Sequence, residues 1–427
     1  MNKKATLLAG FLFSSMAVSA GAPLSLSEAI HLADEYSFDV KKVTFEAKAA
    51  AARVDQAYAA YWPKIDLIAK TNNVRTGESQ DYSASSDQLS QINAALLYTL
   101  YDFGVRSAQV DAAKYALESS EIKVALQKEI LIYDTFSAFI QYDSAVQQEQ
   151  LSLDYLNQVK QLQQLINQRV AAGFSARSDK VRGDLALSEA KSRVEMAQQS
   201  RQESQIALKN MLGVPVSGVD SLLTPAFTYE GDVNKISLTV QQVNPAIKMM
   251  RANMNMAASK VDSVEAERYP NISVSGTYRT DFNRNNFPGS EAYVQLTVPL
   301  TDGGLLRARV SEAVNQHEVA KITLEQAYRD LDKRQSDFIN LYQTTRNKLA
   351  IDLQSAEQAK QTLKIYQTEF SLGNRPLTDL INAQKDLLNT HIELLNDKKN
   401  AYLAIVSLYN LSSDTMTGLE TLFAHRG

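Results

Sequence analysis

The stretch "NISVSGTYRTDFNRNNFPGSEAYVQLTVPL" (Asn271–Leu300) decides the fold. Its first part places Ile272, Val274, Gly276 and Tyr278 on one face and Asn271, Ser273, Ser275, Thr277 and Arg279 on the other. Its last part alternates Ala292, Val294, Leu296, Val298 and Leu300 against Tyr293, Gln295 and Thr297. Period-two alternation predicts strands with one apolar face. Between them, "DFNRNNFPGSE" (Asp281–Glu291) has the Asn, Asp, Gly and Pro content of a loop. A single such hairpin is ordinarily the half-buried edge of a soluble domain. Here the second face is mostly hydroxyl, amide and charge, which suits a wet lumen. Each strand is about ten residues long, enough to cross a bilayer when tilted.

The same arrangement occurs earlier in the chain. "KIDLIAK" (Lys64–Lys70) and "QINAALLYTL" (Gln91–Leu100) flank the polar loop Thr76–Gln88. "YWPKIDL" (Tyr61–Leu67) resembles "RYPNISV" (Arg268–Val274), and "LYDFGVRSAQV" (Leu100–Val110) matches "LTDGGLLRARV" (Leu300–Val310). The break "GFSARSDKV" (Gly173–Val181) then recurs as "GNRPLTDL" (Gly373–Leu380), with its glycine and aspartate in register. A fixed order of features repeated at this distance is a duplicated domain-sized unit, too long for a solenoid repeat. Tyr61, Trp62, Tyr101 and Tyr269 gather at strand ends, where interfacial aromatic belts are found.

The remainder has a helical period. Val110, Leu117, Val124, Leu131, Ala138 and Ala145 recur at every seventh position, as do Val310, Leu324, Leu331 and Phe338, with His317 interrupting. Seven-residue spacing predicts coiled coils. The run from Gly104 to Val170 contains no proline or further glycine and predicts a helix of about 100 Å. Gly173 and Gly373 suit the left-handed position that stops a helix. Asp179 and Asp379 fall in the first turns of the return helices, where acids suit the helix dipole, and Pro376 suits an early helical position.

Composition narrows the setting. The chain has 427 residues and no cysteine, which excludes disulfides, thiolate metal sites and thiol nucleophiles. Lys3 and Lys4, an apolar Ala5–Val18 and the small residues Val18-Ser19-Ala20 predict a secretory leader over residues 1–20. Its removal leaves 42 basic against 48 acidic residues, net −6, a poor match for nucleic acid. No later run reaches the roughly 18 apolar residues of a membrane helix. His31, His317, His391 and His425 show no ligand spacing, and no phosphate-binding glycine loop is present. An enzyme, a metal site and a cofactor are therefore not expected. Four strands cannot close a barrel, and open edges are not tolerated in lipid. Several chains must share one barrel, two copies giving eight strands and three giving twelve.

The leader, the tandem duplication, the "YWP" and "RYP" strand starts, the "YDFG" and "TDGG" joints and the paired Gly-to-Asp helix breaks together resemble the TolC-type outer-membrane export ducts. The resemblance covers essentially the whole mature chain. It implies an α+β membrane protein: a homotrimer with a twelve-stranded transmembrane β-barrel, continued by a long α-helical coiled-coil tunnel in the periplasm of a Gram-negative bacterium. The division expected is a leader (1–20), a first repeat (21–213), an equatorial segment (214–238), a second repeat (239–411) and an equatorial tail (412–427).

Carried over through the helix breaks, Arg375 takes the family's linking arginine, with Ser178 and Asp179 as its partners and Asp379 as a ring aspartate at the tunnel entrance. Two positions depart from the family: a second ring aspartate is Asn382, and the linking tyrosine is Phe370. The resemblance assigns Trp62, Tyr101 and Tyr269 to the lipid interface and the tips at Gly173 and Gly373 to a periplasmic adaptor. Further partners implied are outer-membrane lipid and an inner-membrane ABC or proton-driven transporter. "GNRPLTDLINAQKDLLNTHIELL" (Gly373–Leu395) looks closer to the protein-secretion members, and the missing lipid-anchor cysteine leans away from lipoprotein efflux ducts. The cargo alternatives are a protein exported by type I secretion and small toxic molecules. A structural coiled coil with no conduit is the remaining, more distant reading.

Overall fold

The computed structural model describes residues 23–71, 89–224, 227, 229, 240–281 and 289–423. The expected leader, the loop Thr76–Gln88, residues 282–288, part of the inter-repeat segment and His425 lie outside the described residues. The first half runs α1 (Leu26–Tyr36), α2 (Phe38–Ala59), β1 (Lys64–Thr71), β2 (Leu89–Tyr101), α3 (Val105–Ala171) and α4 (Arg177–Leu212). The second runs α5 (Pro245–Ala266), β3 (Asn271–Asp281), β4 (Gly289–Thr297), α6 (Leu305–Ser371) and α7 (Leu377–Leu411), followed by α8 (Thr415–Phe423). The duplication is plain in the lengths: α3 and α6 have 67 residues each, and α2 and α5 have 22 each. No helix among the described residues is long and apolar enough to cross a membrane.

The strands form one antiparallel sheet in the order β1-β2-β3-β4, so the two halves join through β2 and β3. The register aligns the predicted faces. Ile65, Leu96, Gly276 and Ala292 stand in one row, and Leu67, Ala94 and Tyr278 continue the same side. Asp66, Ala95, Thr277 and Glu291 form a row on the other side. That second side also carries Ile68 and Leu97, so it is less uniformly polar than the strand pattern alone suggests. Val294 and Leu296 on β4 are 66% and 61% exposed, and Ile65 and Leu67 on β1 are 71% and 75% exposed. An apolar face this bare needs a cover that one chain does not supply. β4 stops at Thr297, short of the expected Leu300, because Pro299 has no N–H for the ladder.

Each long helix begins at a built joint. Gly104 and Gly304 adopt φ of 104° and 92°, turning the chain from strand into helix. Asp302 accepts from the Gly304 N–H at 2.9 Å and the Leu306 N–H at 2.6 Å. These bonds, Leu306 first, hold its carboxyl below the usual range. Asp102 accepts from the backbone N–H of Arg106 at 3.1 Å and from its Nε at 2.7 Å. The Arg106 guanidinium also donates to the Thr99 carbonyl at 2.9 Å and stacks over Tyr61 at 4.7 Å. Position 306 is leucine, so the second joint has no such staple. There Arg309 pairs instead with Glu267 of the segment following α5.

The seven-residue stripe of α3 continues past Ala145 through Ser152, Val159 and Ile166, all buried. On α6 the stripe reaches Phe338 and then shifts by four positions. Tyr342, Leu349, Ala356, Leu363 and Phe370 resume it at sevens, each buried. A four-residue insertion of this kind changes seam without breaking the helix. α3 packs on α4 and α5, and α6 on α5 and α7.

The main core lies midway along the tunnel helices. Phe136, Phe139 and Ile140 of α3, Leu208 of α4, and Tyr402 and Ile405 of α7 are all fully buried there. The inter-repeat residues Val216, Leu222 and Leu223, and Leu419 and Leu422 of α8, wrap this core. Leu24 pairs in parallel with Val219 outside the main sheet. Asp143, 2% exposed on α3, anchors the wrap. Its carboxylate accepts from the Leu222 N–H at 2.7 Å, the Leu223 N–H at 3.0 Å and the Ser221 hydroxyl at 3.2 Å.

Candidate functional site at the hairpin tips

Both helical hairpins turn back at one end of the molecule through the same cap. The Gly173 N–H bonds to the Val170 carbonyl at 3.1 Å and the Phe174 N–H to the Arg169 carbonyl at 2.8 Å. Gly373 and Asn374 repeat these bonds to Phe370 and Glu369 at 3.0 and 2.9 Å. The glycines take φ of 80° and 79°, the left-handed conformation that closes this motif. Nothing lies within 4 Å of where a side chain at either would begin. Glycine is thus demanded by the backbone alone. Asp179 and Asp379 sit in the first turns of α4 and α7 as expected. Pro376 stands one place earlier than expected, as the N-cap of α7 with ψ of 151°.

The tips enclose a cleft of about 420 Å³ lined by Arg169, Ser178, Asp179, Arg182, Phe370 and Arg375, among others. Most of the gate residues expected from sequence therefore share one site. Arg375 Nε donates to Glu369 at 2.8 Å and Nη1 to Asp379 at 3.2 Å. Its guanidinium lies 4.1 Å from the Tyr366 ring centroid. The hydrogen bonds to Glu369, then Asp379, raise its pKa above the ordinary arginine value. Arg375 is thus bonded within its own hairpin, while Ser178 and Asp179 face the same cleft from α4. Asn382 is exposed one turn further along α7.

Two connections between the hairpins carry no sequence motif. Arg169 Nη1 donates to the Phe370 carbonyl at 3.2 Å, and its guanidinium stacks 5.0 Å from the Phe370 ring centroid. Arg182 Nη1 donates to Thr378 Oγ1 at 3.2 Å. Phe370 is buried in a cluster drawn from both hairpins, with Leu162 and Ile166 of α3 and Leu377 and Leu380 of α7. Sequence reasoning placed Phe370 and Arg375 here but missed Arg169, Arg182 and Glu369. Glu369 was legible in principle, since its carbonyl closes the turn that starts from Gly373.

At the opposite end, Phe103 contacts Tyr101 edge-on at 4.7 Å and stacks on Tyr269 at 5.5 Å. This aromatic group sits where the strands meet the helices, with Trp62 75% exposed nearby in sequence. Among the described residues, no three His, Asp or Glu side chains gather as metal ligands.

The family described as "Outer membrane efflux protein" matches residues 29–214 and 238–413. Nodulation protein T of Rhizobium leguminosarum bv. trifolii is 24% identical, covering 84% of this chain and 79% of its own. Outer membrane protein TolC of Vibrio cholerae is also 24% identical, covering 90% and 89%. The CmeC outer membrane channel of Campylobacter jejuni superposes with a TM-score of 0.81 at 14% identity, over 92% of this chain and 88% of that one.

Proposed function

This chain belongs to the outer membrane efflux protein family, channels rather than enzymes that act with adaptors and inner-membrane transporters, and on that premise we propose that it is a homotrimeric exit duct for type I protein secretion. It lies in the outer membrane, with its helical tunnel in the periplasm. The observation that carries the shared barrel is the sheet, and the family resemblance supplies the number three. Four strands leave the edges of β1 and β4 without partners among the described residues, beside a bare apolar face. Three copies pool twelve strands into a closed wall, the apolar rows meeting lipid and the Asp66–Glu291 row facing water. In this reading residues 21–213 and 239–411 form the duct, and 214–238 and 412–427 girdle it. Trp62, Tyr101 and Tyr269 mark the lipid–water boundary.

The face assignment has a direct test. Val294→Arg places a cation against lipid and costs about 2–4 kcal/mol of folded barrel near the midplane. Gln295→Arg faces the lumen and inserts normally. Yield of heat-modifiable protein in outer-membrane fractions separates the two.

The tips form the entrance. Arg169 and Arg182 hold the two hairpins together, Arg375 braces the turn of its own hairpin, Phe370 packs beneath them, and Ser178, Asp179, Asp379 and Asn382 line the approach. An adaptor docks around Gly173 and Gly373, where Phe174 and Leu372 are 77% and 70% exposed. Energy comes from the inner-membrane transporter, and the duct conducts passively. The likeness of Gly373–Leu395 to secretion members supports a protein cargo. Deleting the gene should abolish release of one large protein into the medium and leave drug susceptibility unchanged. Wild-type secretion together with heightened susceptibility would assign the duct to small-molecule efflux instead.

A further inference from the structure

At the tip-side edge of the central core, the α6–α7 seam contains two acids. Asp352 occupies a seam position between Leu349 and Ala356, which are both buried. Asp397 faces it from α7, is 8% exposed, and lies between the buried Leu395 and Ala401. Their side chains are within hydrogen-bonding reach of one another. Lys348 Nζ is 2.9 Å from Asp397 Oδ2. That contact lies off the hydrogen-bonding direction, since Oδ2 of both acids is buried without a directed partner. It is an attraction of charges rather than a directed bond. The charges acting on the pair are Lys348 from α6 and Glu393 from α7. One lysine therefore faces two seam carboxyls and a flanking acid. Burying both seam carboxylates ionised leaves the site short of one positive charge. A proton held between the acids supplies it.

We infer that Asp352 and Asp397 form a proton-sharing latch that tightens the α6–α7 hairpin in acid and loosens it near neutral pH. The inference rests on this seam alone and stands or falls separately from the tip lock. The hydrogen bond to Asp397, then burial and the Asp397 charge, push Asp352 up to about 6, against Lys348. Burial also pushes Asp397 up, but the Asp352 hydrogen bond and the Lys348 charge outweigh it and hold Asp397 below the ordinary aspartate value. Asp352 thus binds its proton more tightly in the packed seam than in an open one. Packing gains from this below the open-state value and loses the gain as pH rises through about 6. Asp397 acts oppositely. Its contribution is present above 3.8 and is lost only in stronger acid. Between these limits the seam holds Asp352 protonated, donating to the Asp397 carboxylate beside Lys348. The periplasmic tunnel meets the proton activity of the medium, so the hairpin that must move at the entrance is stiffer in acid surroundings.

Hydrogen exchange of the full-length protein in detergent tests this. After correction for intrinsic chemistry, peptides over residues 345–359 and 390–402 should exchange about fourfold faster at about pH 7.5 than at about pH 5.5. Asp352→Asn keeps a donor to Asp397 and cannot ionise, so its peptides should stay slow at both pH values. Asp397→Asn removes the second charge and should flatten the response as well. Equal corrected rates in the wild type, or a pH response persisting in both variants, would overturn the latch.

Discussion

Arg169→Ala and Arg375→Ala channels in planar bilayers should conduct several-fold more than wild type and stay open longer. Arg169 supplies a hydrogen bond to the Phe370 carbonyl and a cation–π contact with its ring. Together these are worth roughly 1–2 kcal/mol in each subunit. An entrance that opens by concerted movement of three subunits loses this three times. Each 1.4 kcal/mol is about a tenfold change, so the open fraction rises by about a hundredfold or more. Arg375→Ala acts through charge instead. Without the guanidinium, Glu369 and Asp379 lose their shared partner at the turn and repel one another. Arg375→Lys keeps the charge but loses the fork that reaches both acids, and should fall between wild type and alanine. Unchanged conductance in both alanine variants would remove the tip lock and leave the cleft as packing alone.

Asp143→Ala should be the most damaging single change away from the sheet. The variant removes the carboxylate that accepts from the buried N–H groups of Leu222 and Leu223, while Ser221 keeps its bonds to Gln147 and Thr224. Removing a buried charged acceptor from such donors costs roughly 3–5 kcal/mol. The loss falls on the wrap around Phe136, Tyr402 and Leu212, not on the coiled-coil seams. The variant should therefore keep its helical content while amides over residues 216–224 exchange faster with solvent. Unchanged exchange over residues 216–224 would mean that this stretch is held by Leu222 and Leu223 packing alone. Asp143→Asn retains one acceptor oxygen and should show an intermediate rate.

The strands, the long helices and both turns were legible because each depends on local chemistry. Alternation in Asn271–Thr297 sets two faces, the glycine-free run after Gly104 sets the helix length, and Gly173 and Gly373 take a backbone conformation few other residues accept. Contacts fixed by the rotation of one helix about another were not legible. Arg169 and Arg182 look like solvated charges on any helical projection, and they become connections only when the hairpins lie side by side. Asp143 is one acid in a 67-residue helix, with partners roughly eighty positions away. Arg375 was assigned to the tips through the family resemblance, and it lines the cleft between the hairpins. Its bonding to Glu369 follows from the turn bringing two residues six positions apart into contact. The two strand-to-helix joints looked alike in sequence. Arg106 against Leu306 shows how the copies have come to hold the same corner by different means.

The mass of the purified, unheated protein in detergent is the most direct test of how its sheets are completed, because four strands with two bare edges have no stable place in lipid by themselves. Native mass spectrometry should find three chains per particle, and the same particles should pass ions when added to a planar bilayer. A single chain per particle, soluble without detergent and silent in the bilayer, would contradict the shared barrel.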